Sequence, residues 1–159
     1  MGRAARYSEG DWFAVPLRAG GYGVGLLTRA NRQGVLLGYF FGPRRGHLPS
    51  LEELDQLSPD DACLAGKFGH LGLVTGKWQI LGRLPSWDRA SWPVPVFARH
   101  EELTGRWMSV TYDDSDPSKI VDQRQVSADF ARGKPRDGLM GPGYVERLLT
   151  QMLGGSMLA

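Results

Sequence analysis

Three histidines and one cysteine are the residues of this chain that best suit metal, acid–base or nucleophilic chemistry. His47, His70 and His100 lie far apart and lack the i, i+4 spacing with which a helix presents two metal ligands. The lone Cys63 excludes a disulfide framework within the chain and a cysteine-based zinc site, and we expect it to be a buried, inert thiol on a helix. No Gly-x-Ser-x-Gly nucleophile elbow accompanies them. The pattern therefore predicts structural roles for these residues, no catalytic site, no metal and no cofactor.

Aspartates cluster in the segment Asp113-Asp-Ser-Asp-Pro117. An EF-hand calcium loop would also need a glycine and a distal glutamate, which this segment lacks. Aspartate side chains readily hydrogen-bond to the backbone two residues further along the chain. We therefore expect an Asx-type turn before the proline.

Charge is distributed unevenly along the chain although the formal net charge is only +2. Residues 1–49 carry seven basic and two acidic side chains, and residues 50–122 carry seven basic and twelve acidic ones. Residues 123–159 carry five basic and three acidic side chains. Such a layout can steer a charged partner, and solvated faces of opposite sign are the alternative.

Two arginines and two tryptophans suit the binding of a partner. Arg44 and Arg45, in a basic loop that is expected to leave the sheet, can bind an acidic or phosphate group or form a solvated loop tip. Trp87 and Trp92 flank a short polar segment and can anchor a protein partner or pack in the core. Both alternatives stay open for each pair.

Composition indicates a folded protein of one domain, residues 1–159. The chain is 42% hydrophobic and 23% charged, which is typical of globular domains. No stretch approaches the ~18 apolar residues of a membrane span. The first eleven residues contain no apolar segment of a secretion signal. We expect a cytoplasmic protein that does not bind membranes, monomeric with a dimer left open.

The first half of the chain contains three strand patterns joined by glycine-containing turns, which favours an antiparallel β-meander. A capping-box pattern after Ser50 predicts one short helix, and Ser58 followed by proline predicts a second that ends near Gly66. The strands are predicted at residues 11–17, 22–29 and 35–41.

The second half is less regular. Residues 106–112 are a late strand pattern, and residues 119–130 fit neither helix nor strand clearly. Residues 131–141 are expected to be irregular and exposed, and Pro142 opens the clearest helix, which ends at Gly154. The predicted fold class is α+β, with a twisted antiparallel β-meander or partial barrel, short mid-chain helices and a C-terminal helix.

Six segments within residues 7–100 share a pattern of glycines, prolines and aromatic residues. They are Tyr7–Leu17, Gly23–Arg29, Gly38–Pro43, Phe68–Leu73, Gly76–Gly82 and Trp92–Phe97. In this order they resemble the bacterial immunity protein 26 family, while residues 101–159 have no matching pattern.

The resemblance implies a cytoplasmic protein that binds a toxin domain of a polymorphic toxin system and neutralises it by stoichiometric protein–protein interaction. Such an inhibitor needs no catalytic residues. The family resemblance also carries an enzyme alternative, a small phosphotriesterase-like hydrolase. Its metal or general-base candidates would be His47, His70, His100 and Asp88.

An RNA-binding small β-barrel module is a further alternative, although we expect no nucleic acid as partner. Its support is a set of basic residues in the first half of the chain. These are Arg29, Arg32, Arg44 and Arg45.

Docking residues depend on the charge of the toxin. A basic toxin would select an acidic surface, and an acidic toxin would select Arg44 and Arg45. The acidic surface that we favour is Asp113, Asp114, Asp116 and Asp122.

Overall fold

The structure is a computed structural model that describes residues 6–154, so the part of the secretion-signal prediction that concerns residues 1–5 lies outside it. Within this range the chain forms two sheets and four α-helices. The strands are β1 Asp11–Pro16, β2 Tyr22–Ala30, β3 Val35–Arg45, β4 Leu64–Gly69, β5 Gln79–Arg83, β6 Phe97–Glu101, β7 Arg106–Asp113, β8 Asp116–Val126 and β9 Leu139–Met140. The helices are α1 Leu51–Leu54, α2 Leu71–Val74, α3 Ala128–Ala131 and α4 Pro142–Met152, with 3-10 turns at Pro59–Asp61 and Arg89–Ser91.

The larger sheet is built on the predicted meander and has the strand order β5-β1-β2-β3-β4-β9. Trp12 of β1 lies opposite Leu26 of β2, which lies opposite Tyr39 of β3. Gly25 of β2 lies opposite Phe13, and a side chain at this glycine would overlap the Phe13 ring. The α+β class is confirmed. The sheet is open and mixed, because β9 pairs with β4 in parallel.

The predicted second helix is wrong beyond its first turn. Ser58 and Asp61 form a capping box around one 3-10 turn, and the chain then enters β4. Pairing with β3 explains the difference, since Gly66 lies opposite Gly38 and the ladder supplies hydrogen bonds that a short helix could not. Cys63 therefore precedes a strand and is exposed, so its prediction as a buried helical thiol is also wrong.

The smaller sheet has the order β6-β7-β8 and packs on the larger one. Phe97, Val110 and Tyr112 contact Leu37 of β3 in a small buried cluster. The ambiguous segment 119–130 is mostly strand β8, whose largely polar residues leave it exposed. Pairing with β7 holds it in place.

Helix α4, which the sequence predicted, completes the main core. Val145 and Leu149 are fully buried against Phe13, Phe40 and other residues of the larger sheet. Among residues 6–154, no helix has both the length and the apolar character needed to cross a membrane.

Residues 135–140, which we term the strap, join the edges of the two sheets. Beside β6, the Ala98 N–H donates to the Pro135 carbonyl and the Asp137 N–H donates to the Ala98 carbonyl, both at 2.9 Å. Leu139 and Met140 then pair with β4. The segment predicted to be irregular thus covers one edge of each sheet.

Candidate partner-binding site

The structure brings Trp87 and Trp92 together at one pocket of about 200 Å³. Trp92 is only 8% exposed, and its ring meets those of Trp12 and Tyr39 edge-on. Trp87 is half-buried. Trp92 therefore belongs to the core, and Trp87 is the tryptophan that is accessible to a partner. The full lining is Trp12, Leu26, Leu54, Asp55, Leu57, Leu84, Ser86, Trp87, Ser91 and Trp92.

Local hydrogen bonds and one glycine shape this pocket. The Tyr39 hydroxyl donates to the Pro93 carbonyl at 2.6 Å, which fixes the chain beyond Trp92. The Asp88 carboxylate accepts from the Ser91 hydroxyl at 2.7 Å and so closes the turn between the two tryptophans. Gly10 has a φ of 94°, and an added Cβ would lie 2.8 Å from the Trp87 ring. The absence of a side chain at Gly10 therefore permits the position of Trp87.

The lining of the pocket contains one charged residue, Asp55. Asp55 accepts a hydrogen bond from the Ser86 hydroxyl across the pocket mouth. Asp55 belongs to the segment 50–66, which carries five acidic side chains and no basic one, and all five are exposed. Glu53 among them pairs with Arg45 at 3.3 Å. The pocket thus combines aromatic walls with negative charge.

Arg44 and Arg45 lie at the end of β3 rather than in a loop, so that part of their prediction is wrong. Arg44 donates to the carbonyls of Ala19 and Gly20 at 2.6 and 2.9 Å. The Arg44 guanidinium is thus engaged within the chain, and Arg45 pairs with Glu53 through Nη1 while its buried Nε has no hydrogen-bond partner within the range that the structure describes.

The Asx-type turn is confirmed between β7 and β8. Asp113 accepts from the Ser115 N–H at 3.0 Å, and Asp116 accepts from the Ser118 N–H at 2.9 Å. Hydrogen bonds from Ser115 hold the pKa of Asp113 below its usual value, and the Asn31 amide does the same for the pKa of Asp116. Both carboxylates therefore stay charged at neutral pH.

Asp114 has a different role, because it is tied to two arginines. Its carboxylate binds Arg89 and lies 2.9 Å from the Arg29 guanidinium, whose side chain is only 3% exposed. Arg89 also pairs with Glu9 at 2.9 Å. The hydrogen bond from Arg89 has the largest effect on the pKa of Asp114, and that from Arg29 has the next largest. Both lower it. The network of Asp114, Arg29, Arg89 and Glu9 joins the turn between β7 and β8 to β2 and to the loop between Trp87 and Trp92.

Replacing Asp114 with asparagine is expected to make the free energy of unfolding depend less on pH in the acidic range. The folded pKa lies below the ordinary value of 3.8, so the stabilising charge is present above pH 3.8 and is lost as the pH falls through the folded pKa. Asp114→Asn should be less stable than the wild type at about pH 6 and lose less stability by about pH 2.5. Urea unfolding at several pH values measures this. Asp129→Asn, at an exposed residue of α3, is the control, and parallel acid profiles for Asp114→Asn and the wild type would contradict the role of the network.

A buried polar centre, which no sequence motif indicated, lies under the strap. The Asp137 carboxylate accepts a hydrogen bond from the Tyr112 hydroxyl and lies 3.5 Å from Lys67 Nζ and 3.6 Å from Arg99. The side chains of Lys67 and Asp137 are 10% and 8% exposed. Burial lowers the pKa of Lys67 against the opposing effect of Asp137, and it raises the pKa of Tyr112 together with the hydrogen bond to Asp137. The centre links β4, β6, β7 and the strap.

The residues of the enzyme alternative lie apart. His70 Nδ1 is hydrogen-bonded to the Tyr7 hydroxyl at 2.8 Å, and the His100 ring lies 4.6 Å from that of Trp107. His47 is exposed, and Asp88 closes its own turn. In the described part of the chain, no three His, Cys, Asp or Glu residues are grouped to hold a metal ion.

Comparison with known families places this α+β chain among the immunity proteins. It belongs to the Immunity protein 26 family, whose model matches residues 8–109, more than half of the chain. The resemblance found in the sequence is thereby confirmed, and the match continues past residue 100 to residue 109, where no pattern was expected. No curated protein and no solved structure shows a significant match. The matched range contains every residue that lines the pocket at Trp87 and Trp92, which we term the tryptophan pocket. It excludes β8, the strap and α4.

Proposed function

We propose that this chain is a cytoplasmic immunity protein that binds the toxin domain of a polymorphic toxin system and neutralises it by stoichiometric contact. The observation that carries the proposal is the family match over residues 8–109. Neutralisation of this kind requires a surface that fits the toxin and covers its active site or locks its conformation, and it requires no reaction by the inhibitor.

The structure supports such a role through its preformed surfaces. The pocket at Trp87 is held by hydrogen bonds within the chain, so little conformational entropy is lost when a partner binds. The β7–β8 turn is equally fixed, with Asp113 and Asp116 charged and hydrogen-bonded. Rigid, charged surfaces favour rapid, electrostatically steered capture of a toxin.

A capture and rescue experiment tests the function. The tagged full-length protein is used to isolate a partner from its native host at moderate salt, and the partner is then expressed with and without it. We expect a complex of defined stoichiometry and restored growth when both are present. A toxin domain that still kills cells in the presence of its captured partner would contradict the proposal.

Charge reversal in the β7–β8 region tests the preferred docking surface. We propose a basic toxin surface that meets Asp113, Asp116 and Asp122, the last of which lies on β8 and pairs with Arg124 at 2.9 Å. Their joint replacement by lysine should slow association by about tenfold or more. Asp114 is left unchanged, because its pairing with the buried Arg29 would confuse binding with stability. Asp113 and Asp116 accept hydrogen bonds within the turn, so urea unfolding of the triple variant accompanies the rate measurement. Stopped-flow association rates at two salt concentrations measure the effect.

Asp129→Lys supplies the matched control, since Asp129 is an exposed acid on α3. An unchanged association rate in the triple variant would remove the acidic surface from consideration. A slower rate on replacing Arg44 and Arg45 would instead indicate an acidic toxin surface.

A further inference from the structure

We infer that the tryptophan pocket receives an arginine side chain from the bound partner. This inference rests on the proposed function, because it takes the partner to be a protein, and it adds the chemistry of the group that the partner inserts. The size of the pocket, the aromatic wall at Trp87 and the charge of Asp55 together select the occupant.

The size of the pocket selects a side chain rather than a metabolite or cofactor. Its volume is about 200 Å³, whereas pockets for small molecules usually measure about 300–1,000 Å³. Long side chains that fill such pockets near the centre of an interface contribute most of the binding energy in many complexes, and arginine is prominent among them.

The walls and rim match the two ends of an arginine. Trp87, Leu57 and Leu84, which are the partly exposed apolar residues of the lining, offer apolar surface to the three-carbon stem, and an indole ring attracts a guanidinium ion. At the mouth, Asp55 is exposed and uses one carboxylate oxygen for the Ser86 hydroxyl. The other oxygen can accept from a guanidinium in a charge-assisted hydrogen bond.

The surrounding charge disfavours other occupants. The segment 50–66 forms one wall through Leu54, Asp55 and Leu57. Of its five acidic side chains Asp55 lines the pocket, while Glu53 is paired with Arg45. An acidic side chain would be repelled here. An apolar side chain would make no use of the second Asp55 carboxylate oxygen, which Ser86 leaves free. Lysine would satisfy the charge but lacks the planar group that stacks on indole.

Titration with short peptides tests the inference without the toxin. The probes are capped hexa-arginine, hexa-lysine and hexa-glutamate, and the readout is the indole N–H signals of the full-length protein in NMR spectra, assigned with single Trp→Phe variants. We expect hexa-arginine to shift the Trp87 and Trp92 signals and to bind more tightly than hexa-lysine. Asp55→Asn should weaken hexa-arginine binding by about fivefold, the effect of roughly 1 kcal/mol.

Glu102→Gln is the matched control, because Glu102 is an exposed acid in the turn between β6 and β7. Equal affinity of the Asp55→Asn and wild-type proteins, or shifts confined to residues away from the pocket, would overturn the inference. Failure here together with successful capture and rescue would leave the immunity function intact. Binding of hexa-arginine together with failed rescue would support the pocket and reject that function.

Discussion

Replacing Trp78 with alanine is expected to lower the free energy of unfolding by about 4 kcal/mol, the cost typical of removing a large buried aromatic ring. Trp78 is fully buried and stacks on Phe13 with an angle of 4° between the ring planes. Its indole N–H donates to the buried Glu146 carboxylate at 2.9 Å. The substitution therefore leaves a cavity and also removes a hydrogen-bond donor from a buried acid.

Guanidinium chloride unfolding followed by far-UV circular dichroism measures this effect without relying on tryptophan fluorescence. Trp107→Ala is the control, because Trp107 is partly exposed on β7 and packs on His100. Its cost should be about half as large or less, in proportion to the smaller buried area. A loss below about 1 kcal/mol for Trp78→Ala would contradict the central position of this ring.

Replacing Asp137 with alanine is expected to cost about 3 kcal/mol, because it leaves the buried Lys67 without its counter-ion. Lys67 Nζ lies 3.7 Å from the centre of the Tyr112 ring, so the ammonium group cannot regain full hydration without moving. The Tyr112 hydroxyl would lose its acceptor as well. Equilibrium unfolding of the single variant measures the loss.

A second substitution separates the ion pair from general damage to the strap. Asp137→Ala combined with Lys67→Met should recover a large part of the stability, since a buried ion pair can often be replaced by apolar groups at little cost. Asp129→Ala removes the partner of an exposed ion pair with Arg132, and it should change stability by less than about 0.5 kcal/mol. A double variant no more stable than Asp137→Ala alone would reject the ion pair as the cause.

The sequence predicted the elements whose residues repeat with a clear period. Strands β1 to β3 and helix α4 fall within a few residues of their predicted bounds, because alternating or helical apolar patterns mark them. Residues 64–66 of β4 were predicted as helix and the β8 segment was left ambiguous, because pairing with neighbouring strands decides their structure. The Ser58–Pro59 start looks helical locally, yet the ladder with β3 makes residues 64–69 a strand.

The site residues divide in the same way, into those that a local pattern marks and those that only the fold brings together. Trp87 and Trp92 were candidates because they flank a short polar segment, whereas the presence of Asp55 in the same pocket depends on how α1 packs in the folded chain. Asp137 and Lys67 are 70 positions apart, and nothing near either residue indicates that they meet. The pairing of Asp114 with Arg29 likewise joins distant strands and could not be inferred from spacing.

The outer edge of β8 has a consequence for how the protein behaves at high concentration. A long strand with an open edge is a template for intermolecular pairing and aggregation. The register shift at Thr111 and Tyr112 leaves Val121 as a bulge, and Lys119, Asp122 and Arg124 place charges along the strand. Bulges and charges are features that oppose edge-to-edge association. Since Ile120 and Val121 of the same strand are exposed, the bulge and the charges are the features that oppose polymerisation through β8.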